Sequence, residues 1–115
     1  MLDLTVTETA NSRYVVAARL VAAADADPDV SPAIVVDLVW AHARAADRLD
    51  HVRARAADAP GLLNVVLILR AADAPEALAK AGGLCARAAG RPALSGWSLD
   101  RIDALALADL KIQAF

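Results

Sequence analysis

Residues 48–69 read RLDHVRARAADAPGLLNVVLIL. Within them His51, Arg53 and Arg55 alternate with Val52, Ala54 and Ala56, the two-residue period of a strand with one wet face. Asp58-Ala59-Pro60-Gly61 then supplies turn chemistry, and Leu62 to Leu69 is an apolar run of strand length. Together they predict a hairpin. The competing reading carries the preceding helix on through Ala57, because alanine and arginine are good helix formers.

Upstream, Ser31-Pro32 is a helix start: the serine hydroxyl accepts a free backbone N–H, and proline in the first turn has no donor to lose. Val35, Leu38, Val39, His42 and Ala45 share one face, so the expected helix runs from 32 to about 46. Before it, Arg13 to Ala23 is read as a strand on Tyr14, Val15, Val16 and Val21, closed by the loop Asp25-Ala26-Asp27-Pro28-Asp29, with a buried helix as the alternative. Downstream, Asp73, Pro75 and Glu76 form an Asp-capped variant of the capping box. The helix they open presents Ala77, Leu78, Ala81, Leu84, Cys85 and Ala88 inward, with Gly90 closing it as a C′ residue. Trp97, Leu99 and Arg101 then alternate with Ser98, Asp100 and Ile102 as a last strand. Leu2, Leu4 and Val6, spaced by Asp3, Thr5 and Thr7, predict an extra N-terminal strand within 1–12, and 104–115 is an apolar tail.

Without its first strand and its tail, the order over 13–103 is β-α-β-β-α-β. This split βαβ resembles the ferredoxin-like plait, an α+β fold with two helices on one face of an antiparallel four-stranded sheet. The resemblance is one of fold and implies no function, because that plait hosts enzymes, regulators and interaction modules alike.

At 115 residues the chain suits one domain. Hydrophobic residues make up 58%, yet aromatic ones only 3%, so alanine supplies much of the apolar count and the core is expected to be thin. A net charge of −2 argues against a general nucleic-acid binder, which needs a basic field. Cys85 is the single cysteine, leaving no intrachain disulfide and no cysteine-built zinc site. With no signal-peptide pattern and no apolar run of membrane-spanning length, the cytoplasm is the expected location and no membrane partner is expected.

Each candidate site has a plain structural reading beside it. Asp25, Asp27 and Asp29 imitate the start of a calcium loop, but Val30 and Val36 stand where its glycine and bidentate acid belong. Gly82-Gly83 inside a helix suggests close approach to the sheet rather than a phosphate cradle, which precedes a helix. His42 reads as a satisfied core histidine, and Cys85 as packing. No catalytic residue, metal set or cofactor motif is identified. His51, Arg53 and Arg55 fall on the sheet face that no helix covers, where they either bind a carboxylate or phosphate or make an ordinary solvated edge strand.

By strand parity the helix-covered face takes Tyr14, Val16, Ala18 and Leu20 with Leu63, Val65, Leu67 and Leu69. The other face takes Val15, Ala17, Val21, Val66 and Ile68, with Arg19 and Asn64 among them, and is expected to be covered by a second sheet, the N-terminal strand or the tail. Trp40, with Val36 and Ala43, forms a second stripe on the first helix, expected to meet the tail or another chain. The leading expectation is a non-enzymatic interaction or accessory protein, homo-oligomeric or partner-bound through Trp40, Val36, Val66 and Ile68. The rival is a dimeric α+β barrel enzyme or small-molecule binder that orients an anion near His51, Arg53 and Arg55.

Overall fold

Strand β1 (Ser12–Ala22) leads into helix α1 (Pro32–His42), the hairpin strands β2 (Leu49–Ala56) and β3 (Leu62–Ala71), helix α2 (Ala74–Ala89) and strand β4 (Trp97–Ala106). These come from a computed structural model that describes residues 12–106. The fold is α+β: one four-stranded sheet of order β2-β3-β1-β4, antiparallel at every pairing, and two helices. Residues 49–56 are a strand and 12–22 are a strand, so neither helical alternative holds. The expected N-terminal strand and most of the apolar tail lie outside the described residues. Strand β4 runs through Ala106, taking up residues 104–106 that the sequence assigned to the tail.

Alternation decides which sheet face meets the helices. Val16, Ala18 and Leu20 of β1 and Leu63, Val65, Leu67, Leu69 and Ala71 of β3 are buried, every second residue in each strand. Against them lie Val35 and Val39 of α1 and Ala77, Ala81, Leu84, Cys85 and Ala88 of α2. Helix α1 packs over β2, and α2 over β3, β1 and β4. Alanines let α2 sit low, so Leu84 and the strand leucines supply most of the buried area.

Both helix starts follow their local chemistry. The Ser31 hydroxyl accepts the Ala33 N–H at 3.3 Å, and Asp73 Oδ1 accepts the Glu76 N–H at 2.9 Å. Glu76 Oε1 reaches back to the Ala72 N–H, one residue beyond the usual partner, at 2.7 Å.

Four expectations need correction. Helix α1 stops at His42, so Ala45 is not on its inner face: it opens a short 3-10 turn, Ala45–Asp47. The cause is Asp47, buried and accepting the Arg44 N–H at 2.8 Å and the Arg87 guanidinium at 3.0 Å. That turn offers the backbone a partner the next helical turn does not. Gly90 caps α2 in the right-handed region, φ −75°, not as a left-handed C′ residue. Close approach does not explain Gly82-Gly83. A methyl on Gly82 would sit 3.9 Å from Ile102, an ordinary contact, and one on Gly83 would meet only the end of Arg87 at 3.3 Å.

Strand β4 does not keep strict alternation through Asp100. Arg19 opposes Arg101 and Leu20 opposes Leu99, so Asp100 is an extra residue in β4. Such a bulge reverses the phase of the strand beyond it. Ile102 and Ala104 therefore pack on the core, while Arg101 and Asp103 turn to the other face.

Candidate functional site

The face left uncovered by helices is built from alternate residues whose register is fixed by the core on the other side. His51 opposes Ile68, Arg53 opposes Val66 and Arg55 opposes Asn64 across β2 and β3. Ile68, Val66 and Asn64 in turn oppose Val15, Ala17 and Arg19 of β1. The three residues singled out in β2 do lie together on the uncovered face, and all three are exposed.

Sequence reading undercounted the cations here. Arg13, Arg19, Arg53, Arg55, Arg70 and Arg101 share this face by register, half of the chain's twelve Lys and Arg residues. Val15, Val21, Val66 and Ile68 are half-exposed among them, within reach of aliphatic arginine stems, which can cover apolar surface while their heads stay in water. The face expected to be apolar enough to need a cover is thus a mixed one, and the N-terminal strand and most of the tail proposed to cover it lie outside the described residues. Arg13 and Arg70 could have been found from parity alone. Arg101 is missed when strict alternation is carried past Asp100, although the apolar positions change parity there, from Trp97 and Leu99 to Ile102 and Ala104.

The positive charge is divided into two zones. At one end Asp50, the extra residue of a second bulge between Leu49 and His51, accepts from Arg13 at 3.2 Å and from Arg70 at 3.5 Å. At the other end Arg55, Asn64, Arg19 and Arg101 stand in one transverse row across β2, β3, β1 and β4. Arg101 has a 3.9 Å contact with Asp103. Arg19, Arg53 and Arg55 have no ion pair among the described residues, and the buried Nε of Arg19 has no hydrogen-bond partner among them.

Three shallow depressions meet at Asn64. The largest, about 480 Å³, lies between Arg53, Arg55, Asn64 and Val66. A second, about 340 Å³, is lined by Arg19, Arg55, Asp58 and Asn64. The third, about 180 Å³, is lined by Arg19, Asn64, Arg101 and Asp103. They are surface hollows of a kind that anchors polar groups, not an enclosed apolar pocket.

The other candidates are placed elsewhere. His42 is half-buried in the last turn of α1, and its carbonyl accepts from Arg87 at 3.2 Å. Burial pushes the Cys85 thiol up to about 11, so it stays protonated and inert at neutral pH. Asp25, Asp27 and Asp29 are placed in the loop after β1, and Asp27 Oδ1 accepts the Asp29 N–H at 2.9 Å as a local turn. Among the described residues no cluster of His, Cys, Asp or Glu has the makings of a metal site. No helix there is long and apolar enough to cross a membrane. Trp40 is 45% exposed and Ile34 38% exposed on the outer side of α1, with Val36 half-buried nearby. Tyr14 belongs to the helix-covered face and packs on the core, which leaves the uncovered face without a phenol or indole among the described side chains.

No family model matches the chain, and no curated protein matches it. Among solved structures, an uncharacterized protein from Thermotoga maritima aligns with 84% of this chain and 98% of its own at 14% identity, with a TM-score of 0.41.

Proposed function

We propose that this chain is a small non-enzymatic binding protein, a cytoplasmic ferredoxin-like plait whose uncovered sheet face holds an anionic partner. The observation that carries the reading is the sign of that face: among the described residues, six arginines and His51 against Asp50, Asp58 and Asp103, on a chain whose net charge is −2. Cations gathered on one face of an acidic protein make a local field that its net charge hides. Arginine forks suit carboxylates and phosphates, and among the described residues no nucleophile and base stand together beside them. Support for the plait comes from the sheet order β2-β3-β1-β4 with both helices on one face.

A second surface supports self-association. Trp40 and Ile34 are the large apolar side chains left exposed among the described residues, and tryptophan is enriched where binding energy concentrates. Sheet-to-sheet pairing through Val66 and Ile68 would set arginine against arginine, so pairing there needs anions between the copies. The outer side of α1 carries one charge on that stripe, the exposed Asp37 between Ile34 and Trp40, against the row of arginines on the sheet face.

Thermal unfolding of the full chain with added citrate, pyrophosphate or phosphopeptide tests the main reading, since a ligand that binds only the folded state raises Tm. At least one anion is expected to raise Tm in parent protein and not in an Arg53→Glu, Arg55→Glu double variant. No anion-specific rise at roughly 0.15 M ionic strength would end the reading.

A further inference from the structure

The geometry points to a small molecule bearing linked phosphates as the anion, held across the row Arg55, Asn64, Arg19 and Arg101; the inference rests on the anion-binding reading of the sheet face. Arg19 and Arg101 are directly opposed on adjacent strands, an arrangement of like charges that is destabilising until something negative lies between them. Arg19 brings an Nε that is buried and without a partner among the described residues. Arg55 approaches from the far side of Asn64, whose amide adds two N–H donors at the point where all three hollows meet.

The span of the row selects the ligand class. Arg55 to Arg101 crosses three inter-strand gaps, each roughly 4.8 Å, so one carboxylate fills one fork and leaves the others bare. Two joined phosphates present several oxygens along that line and can engage two or three forks at once. Carboxylates mark both ends of the strip: Asp58 lines the hollow beside Arg55, and Asp103 lines the one beside Arg101. They confine the cationic track, which suits a compact polyanion and opposes a long one. With no exposed aromatic platform on this face among the described side chains, stacking of a single-stranded nucleic acid has no support either.

Isothermal titration of the full chain with inorganic pyrophosphate, at roughly 0.15 M ionic strength, is the test. Saturable binding is expected, weakened about tenfold or more in Arg19→Gln and in Arg55→Gln and little changed in Arg13→Gln, whose charge is spent on Asp50. Arg19→Lys keeps the charge without the fork and is expected to bind nearly as weakly as Arg19→Gln. It also separates site loss from misfolding, with circular dichroism of each unliganded variant as the check. Citrate binding without pyrophosphate binding would overturn the phosphate assignment and leave the anion-binding reading standing. Failure of both would remove both. Equal small losses in all the arginine variants, or binding of a single-stranded oligonucleotide but not of pyrophosphate, would also overturn it.

Discussion

Replacing Gly96 by alanine should cost this domain several kcal/mol, while the same change at Gly82, in mid-helix, should stabilise it. Gly96 stands at φ +85° just before β4, and a methyl there would lie 2.6 Å from Ala26 Cβ and 3.3 Å from Ala26 Cα. The backbone cannot easily yield. The Gly96 carbonyl accepts the Ala23 N–H at 2.8 Å, and Trp97 Nε1 donates to the Asp27 carbonyl at 2.9 Å, so the 23–27 loop is tied down on both sides. The left-handed conformation costs a residue with a Cβ roughly 1–2 kcal/mol, and relieving the overlap costs roughly 1–3 kcal/mol more. A loss of about 2–5 kcal/mol corresponds to a Tm fall of roughly 10 °C or more in a domain of this size. Gly82→Ala would make only an ordinary 3.9 Å contact with Ile102 and gains helix propensity worth about 1 kcal/mol. Scanning calorimetry of both variants beside the parent decides the matter. A Gly96→Ala melting point within about 2 °C of the parent would refute the packing described between β4 and the acidic loop.

Three further outcomes are expected. Asp47→Ala should destabilise by about 2 kcal/mol, because Arg87 and the Arg44 N–H both lose their acceptor, and a double cycle with Arg87→Ala by urea unfolding should show coupling; additive losses would dissolve the pair. The folded Cys85 thiol lies near 11 against an ordinary 9.0, so between those values the unfolded state releases its proton first and stability falls as pH rises; subtracting the Cys85→Ala profile should isolate that slope, and identical profiles would contradict the burial. Trp40→Ala should leave circular dichroism and Tm nearly unchanged, given its exposure, and lower the mass measured by light scattering; a monomeric parent, or an unchanged mass in the variant, would remove the self-association surface.

The uncovered face shows how far local pattern reached. Alternation places His51, Arg53, Arg55, Val66 and Ile68 on one face, and the register agrees because each strand has a buried side that fixes its parity. Helix starts at Ser31 and Asp73 are legible for a similar reason: caps are short-range chemistry, complete within four residues. Glycine at 82 and 83 attracts notice because it is costly in a helix, whereas the glycine that packing demands is Gly96, whose neighbour is Ala26, distant in the chain.

By itself, the sequence determined the strand and helix order and most of the buried set, since both depend on periodicity and on neighbours a few positions away. Only the tertiary structure supplied the Arg87 guanidinium that donates to both the His42 carbonyl and Asp47 just past the end of α1. It alone also brought Arg101 beside Arg19 by inserting Asp100 as a bulge. The cationic row is a product of pairing between strands distant in sequence, and no local spacing encodes which residues face one another across a sheet.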